Sequence, residues 1–278
     1  MTAAHRLERM RDILRELGRV TVAFSGGVDS TFVLKVAVDT LGCDNVLAVT
    51  GRSASVPEAE LDDAVRLAQA IGAEHRIIDT NEFNDANYLA NPVNRCYYCK
   101  TELYGRLTRL LPVDQRGTII NGVNADDLGD WRPGLKAAGE HGVRAPAAEA
   151  GLTKADIRVL SARMGLPTAD KPASPCLSSR IPYGEAVTPE KLRMIERAER
   201  LLHELGFREC RVRHFGNDAR IEVPVERLGE LSGALLDRVR AGLRALGYRD
   251  VSVDPRGFRS GRLNELVSLS TPNRSMSQ

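Results

Sequence analysis

Ser25-Gly26-Gly27-Val28-Asp29-Ser30 follows the apolar, β-prone run Val20-Thr21-Val22-Ala23-Phe24 and precedes Thr31-Phe32-Val33-Leu34-Lys35-Val36-Ala37. That order reads strand, glycine turn, helix. Two glycines let the backbone approach a ligand closely and reach dihedrals that other residues avoid. The helix behind the turn presents unpaired N–H groups and the positive end of its dipole. Ser25 and Ser30 add hydroxyl donors. Such a turn suits a phosphate or pyrophosphate. The spacing fits neither Gly-x-x-x-x-Gly-Lys-Ser/Thr nor Gly-x-Gly-x-x-Gly. Gly-Gly with an Asx or Ser cap is also ordinary strand-to-helix punctuation.

Outward from this turn, strand and helix patterns alternate. Strands are expected over 20–24, 45–50, 75–79 and 118–122, and helices over 4–17, 30–41, 57–71 and 98–111. Pro57 opens the third helix, with apolar residues at helical spacing behind it. This alternation predicts an α/β fold, a parallel sheet with helices on both faces. Ligands in such sheets sit beyond the carboxyl ends of the strands. Residues 25–30, Thr50-Gly51-Arg52 and Gly122-Val123-Asn124-Ala125-Asp126-Asp127 therefore share one rim. Residues 128–187 are richer in Gly, Pro and Ala, with one clear helix near 154–164. From Thr188-Pro189-Glu190 the pattern becomes a helix (190–205), strands at 210–214 and 219–223 around Gly216-Asn217, a helix (227–246) and a strand (251–253). This predicts a small α+β domain. The expected division is 1–187, 188–264 and a polar, disordered tail, 265–278.

The 278 residues are 42% hydrophobic and 27% charged, ordinary for a globular chain. A net charge of +2 gives no bulk argument for nucleic-acid binding. No apolar run is long enough to span a bilayer, and the first residues form no signal-peptide core. A cytoplasmic location is expected, with the five cysteines as reduced thiols or metal ligands.

Cys96-Tyr97-Tyr98-Cys99 is a Cys-x-x-Cys pair, with Cys176 far downstream in Ser174-Pro175-Cys176-Leu177-Ser178-Ser179-Arg180. Two thiolates at this spacing can share a metal. A third distant one leaves a position open on zinc or on one iron of a cluster. A redox dithiol and two small buried hydrophobes are the alternatives. Lys171 and Arg180 would favour a Cys176 thiolate if they lie near it. Cys43 and Cys210 read as structural. Arg211 and Arg213 alternate on a strand and so face one side. Glu199 and Glu222 are candidate acidic neighbours, although a solvated helix face accounts for Glu199. Asp29 either orients a metal or caps its helix. Trp131 and the five histidines read as structural.

Residues 25–30 resemble the PP-loop of ATP pyrophosphatases, Ser-Gly-Gly-x-Asp-Ser, which split ATP to AMP and pyrophosphate. Together with 95–100, 121–127, Gly165-Leu166-Pro167, Lys171, 174–184 and Cys210-Arg211-Val212-Arg213-His214, the chain is similar to the LarE family over nearly its whole length. These are ATP-dependent sulfur transferases that help build the nickel-pincer nucleotide cofactor. The resemblance implies that ATP adenylates the carboxylates of pyridinium-3,5-biscarboxylic acid mononucleotide and that sulfur then displaces AMP. It implies ATP and pyrophosphate binding by Ser25, Gly26, Gly27, Asp29 and Ser30, to which the shared rim adds Arg52 and Gly122. Mg²⁺ would offset the phosphate charge, with Asp127 as a candidate ligand. The substrate phosphate is assigned to Ser179, Arg180, Arg211 and Arg213. Cys176 matches the sulfur-donating cysteine. One family subtype sacrifices that cysteine's sulfur. The other holds a [4Fe-4S] cluster on three cysteines, and Cys96, Cys99 and Cys176 point to the latter. A homo-oligomer, such as a hexamer, and other nickel-pincer biosynthesis proteins are the implied partners.

Three competing readings remain at this stage. One is a tRNA thiolase, against which the modest charge counts. Another is an ammonia-using PP-loop synthetase, and the last is a nucleotide-binding regulator without turnover.

Overall fold

The computed structural model describes residues 2–129 and 132–258. Trp131 and the tail from residue 265 lie outside the described residues. The chain forms two compact units. The first comprises Met1–Asp85 with Asn94–Ser174, and the second comprises Ala86–Val93 with Pro175–Gln278. The division thus falls between Ser174 and Pro175, whereas composition suggested residue 187.

In chain order the first unit begins with α1 (Ala3–Leu17), whose N-cap Thr2 accepts from the His5 N–H, then β1 (Val20–Ala23) and α2 (Val28–Leu41). β2 (Val46–Arg52), α3 (Glu58–Ile71) and β3 (Glu74–Asp79) follow. After α4 (Ala86–Leu89), which belongs to the second unit, come α5 (Arg95–Leu110), α6 (Val113–Arg116) and β4 (Thr118–Ile120). α7 (Pro133–Glu140), α8 (Pro146–Glu149) and α9 (Lys154–Arg163) complete it. Composition had suggested one helix across this last stretch. The short α7 and α8 each open on a proline at the first helical positions, a start signal that the surrounding glycines and alanines obscured.

The four strands lie in the order β3-β2-β1-β4, all parallel, with Val22 opposite Ala48 and Ile120. Parallel sheets covered on both faces need apolar strands rather than alternating ones. β1 and most of β2 meet that need: Val20, Val22, Val46 and Ala48 join Phe32, Leu34, Met10 and Leu14 in one core, and Leu47 and Val49 join Tyr104 and Leu107 in another. β3 is the edge strand, and its charged Glu74, Arg76 and Asp79 are exposed. The sheet matches the sequence expectation, and the carboxyl ends of β1, β2 and β4 lead into the three rim segments.

The second unit contains α4, α10 (Pro189–Glu204), β5 (Arg211–Phe215), β6 (Asp218–Glu222), α11 (Gly233–Ala245) and β7 (Asp250–Val253). β5 and β6 form an antiparallel hairpin that closes at Phe215 and Asp218, and β7 lies parallel to β6. α10 starts at Pro189, with the Thr188 hydroxyl accepting from the Lys191 N–H. Its Ala198 and Leu202 pack with Val212, Ile221 and Leu243 in a separate core.

The single helix expected over 227–246 is two elements. A 3-10 helix spans Val225–Glu230 and α11 begins only at Gly233. Gly233 has φ +50°, outside the right-handed helical region, so the pattern cannot run through it. Among the described residues no helix is long and apolar enough to cross a membrane.

Candidate active site

The glycine turn leaves β1 with the Phe24 N–H still bonded to the Val49 carbonyl, so the loop starts at the sheet. Gly26 has φ +68°, a conformation suited to glycine. Gly27 is the N-cap of α2, and no side chain caps that helix. The backbone N–H groups of its first turn are therefore available to an anion. Ser25 and Ser30 close the cradle, with their hydroxyl oxygens 3.0 Å apart. The Gly27 N–H reaches Ser25 Oγ at 3.4 Å, and the Ser30 hydroxyl donates to the Gly27 carbonyl at 3.3 Å. These groups fit the negative charge of ATP's phosphates.

Gly122 follows β4 and lies against this helix end. A Cβ there would stand 2.7 Å from Ser30 N and 3.0 Å from the Asp29 carbonyl carbon. Its role is to let β4 pass close to the cradle. Asp29 accepts from Asn124 Nδ2 at 3.3 Å and forms an ion pair with Lys154. Sequence reading passed over Lys154. Its signal was local: Thr153 and Asp156 form a capping box, which puts Lys154 in the first turn of α9. The Lys154 N–H also donates to Asp126 Oδ2 at 2.9 Å.

Asp127 is buried. Its Oδ2 accepts from the Asn124 N–H at 3.1 Å, and its Oδ1 pairs with Arg132 at 2.8 Å. Arg52 reaches the rim and pairs with Asp79 at 2.7 Å. Thr50 donates to the Phe24 carbonyl at 2.8 Å, so its oxygen accepts from His75 Nε2 at 2.8 Å. Burial pushes the His75 imidazole below its ordinary value.

Cys96 lies in the first turn of α5 and Cys99 at the start of the second, since the helix begins at Arg95 rather than at residue 98 as the pattern suggested. At i and i+3 they share one helical face. Cys96 is exposed and Cys99 half-buried, so the reading as two buried hydrophobes fails for Cys96. A helix N-terminus favours thiolates, and two thiolates one turn apart suit iron or zinc. Among the described residues, neither unit gathers three His, Cys, Asp or Glu side chains as a metal set. Cys43 is exposed, next to Asp44, rather than buried.

In the second unit Cys176 is half-buried and caps a short 3-10 helix, Leu177–Arg180. Arg180 braces this segment, donating to the carbonyls of Pro175 at 2.5 Å and Cys176 at 3.0 Å. Ser178 is tied to the Tyr88 hydroxyl at 2.8 Å. Lys171, in the first unit, pairs with Glu60 and Asp63 of α3.

Arg180 is 2% exposed and pairs through two nitrogens with both oxygens of Glu199, each at 2.9 Å. Glu199 is 6% exposed, so the solvated-face reading is overturned. It lies on the apolar face of α10 beside Ala198, and Oε1 also accepts from the Val212 N–H at 3.0 Å. Arg213 pairs with Glu222, which is 1% exposed, and donates to the Ser179 carbonyl at 2.8 Å.

Arg211 donates to the Cys210 carbonyl and lies 5.0 Å over the Phe258 ring. Burial and the nearby Arg180 guanidinium, opposed by Glu199, hold its charge less favourably than usual. Arg180, Arg211 and Arg213 bring three forked guanidinium donors to this unit, a group type that suits a phosphate. Cys210 is buried, and burial with Glu199 pushes its thiol far up, consistent with a structural role.

An NAD synthase family profile matches residues 5–92, which hold the glycine turn. NH3-dependent NAD+ synthetase of Methanopyrus kandleri is 39% identical over 77 residues, 27% of each chain. An uncharacterized protein of Synechocystis sp. is 46% identical over 264 residues, covering 95% of this chain and 98% of its own. Pyridinium-3,5-bisthiocarboxylic acid mononucleotide synthase of Lactiplantibacillus plantarum is 41% identical over 255 residues, 92% of each chain. Similarity of that extent covers the glycine turn, both cysteine segments and the paired arginines, and the chain belongs to the LarE family of PP-loop proteins.

Proposed function

We propose that this protein is an ATP-dependent sulfur transferase making thiocarboxylates on a pyridinium mononucleotide, the reaction in the relative's name. The observation that carries the reading is the uncapped α2 N-terminus with Ser25 and Ser30 across it, a cradle for departing pyrophosphate.

A substrate carboxylate oxygen attacks the α-phosphorus of ATP. The bond to the bridging oxygen breaks and pyrophosphate leaves. The N–H groups of α2 and the Lys154 ammonium stabilise the charge that develops on it. Mg²⁺, bound with ATP, offsets phosphate charge. The resulting acyl adenylate carries AMP as its leaving group, which a sulfur nucleophile displaces at the acyl carbon. Arg180, Arg211, Arg213 and Ser179 serve as the site for the substrate's own phosphate.

For the sulfur source we favour the cluster-bearing subtype. Its support is the pair Cys96 and Cys99 on one face of α5, and the family resemblance adds Cys176 as the third donor. Cys96, Cys99 and Cys176 would hold a [4Fe-4S] cluster, which would supply the sulfide that becomes the thiocarboxylate sulfur. The alternative is sacrifice of the Cys176 sulfur: its thiolate attacks the acyl carbon, AMP leaves, and loss of the Cα proton with Cβ–S cleavage leaves dehydroalanine.

Mass spectrometry after incubation with ATP, Mg²⁺ and the pyridinium biscarboxylate tests the reading. The expected result is a thiocarboxylate product with one pyrophosphate per sulfur inserted, and tRNA- or ammonia-dependent turnover would refute it. Iron and acid-labile sulfide after anaerobic preparation, lost in Cys96→Ala and Cys99→Ala, would support the cluster. Colourless protein whose Cys176 loses sulfur mass would support sacrifice.

A further inference from the structure

Lys171 reaches back across the first unit to the glycine turn. Its ammonium donates to Glu60 Oε2 at 2.7 Å, Asp63 Oδ2 at 3.2 Å and the Gly26 carbonyl oxygen at 3.4 Å. Glu60, Asp63 and Ala64 recur at i, i+3 and i+4 on α3, so one helical face holds all three. Ala64 forms the floor beneath the turn: a Cβ added at Gly26 would stand 3.2 Å from its Cα. α3 thus supports the loop directly and carries the two carboxylates that hold the lysine. Burial works against the Lys171 charge, but hydrogen bonds and charges from Glu60 and Asp63 outweigh it and raise its pKa. It remains an ammonium at neutral pH.

The peptide joining Gly26 to Gly27 is planar and trans, so its carbonyl and its N–H point in opposite directions. Fixing the oxygen toward Lys171 turns the Gly27 N–H toward the cradle, where it meets Ser25 Oγ. A flipped peptide would present an oxygen to the incoming phosphate instead of a donor. We propose that Lys171, clamped by Glu60 and Asp63, is a positioning residue that locks the Gly26–Gly27 peptide with its N–H facing the departing pyrophosphate. The proposal rests on the reading of residues 25–30 as the pyrophosphate cradle.

Charge alone predicts the opposite sign for one variant. Two carboxylates beside an anion site repel the anion, so removing them would tighten binding. Under the positioning account their removal loosens Lys171 and weakens binding. Calorimetric titration of the full chain with magnesium pyrophosphate separates the two, with thermal midpoints as a check on folding.

The expected result is binding by the wild type, weakened about fivefold in Glu60→Gln/Asp63→Asn by loss of the bonds that hold the lysine. Lys171→Met is expected to weaken it about tenfold through a misdirected donor. Lys171→Arg stays near wild type because its fork can donate to the same acceptors. Equal or tighter binding by the double carboxylate variant overturns the proposal alone. A wild-type protein that binds no magnesium pyrophosphate overturns it together with the reading of the loop. If Lys171→Met does not fold, the double variant still decides.

Discussion

The two units present positive character by opposite means. In the first, the donors are backbone N–H groups at the end of α2, which no side chain caps. In the second they are guanidinium groups held by buried carboxylates, Arg180 by Glu199 and Arg213 by Glu222. A backbone cradle keeps its direction because the helix is already folded. An arginine site needs a partner to hold each long side chain in place, and the buried carboxylates that do so also reduce its net charge. The first arrangement suits a group that arrives and departs with every turnover, and the second a phosphate handle that only needs to be held.

The largest expected effect separates the units by their chemistry. Cys176→Ala is expected to lower thiocarboxylate formation by about a thousandfold or more, while the first release of pyrophosphate stays within about twofold. Mass spectrometry of the product and a burst assay on the same samples check this. A parallel loss of both signals would break the division of labour.

A second effect concerns stability. Glu199→Ala leaves the buried Arg180 guanidinium uncompensated and is expected to cost about 3–5 kcal/mol in denaturant unfolding. The double variant Arg180→Met/Glu199→Leu should recover much of that loss while still failing to bind the substrate phosphate.

In the first unit, Lys154→Met removes the ammonium that pairs with Asp29. It should slow pyrophosphate release about tenfold or more, with the KM for the pyridinium substrate unchanged. An effect confined to that KM would move Lys154 out of the ATP site.

The smallest effect is on pH dependence. Burial lowers the folded-state pKa of His75 in the first unit and of His214 in the second. Above the unfolded value of 6.5 both imidazoles are neutral in either state, and stability is complete. As pH falls below it, the unfolded chain takes up protons that the folded protein refuses, so stability declines. Thermal midpoints between pH 8 and pH 5, expected to fall on the acid side, check this. His75→Gln and His214→Gln should each flatten part of the decline, and together they show whether one unit yields first.

What the sequence revealed follows from the same contrast. The glycine turn was legible because strand, turn and helix are contiguous and glycine marks its own geometry. The alternation of apolar runs announced the parallel sheet for the same reason. The pairing of Arg180 with Glu199 was not legible, since nineteen positions separate them and a helix pattern alone cannot tell a buried glutamate from a solvated one. The attachment of Lys171 to α3 was hidden by a still longer separation. The break before α11 was signalled by Gly233, but its positive φ appears only in the folded chain.

The most direct test of the account is pyrophosphate release by Cys176→Ala protein given ATP and Mg²⁺, with and without pyridinium-3,5-biscarboxylic acid mononucleotide. A burst that requires the pyridinium substrate and yields no thiocarboxylate is the predicted result. Release that ignores the substrate, or no release in the variant when the wild type turns over, would contradict the claim that activation belongs to the glycine turn and sulfur delivery to Cys176.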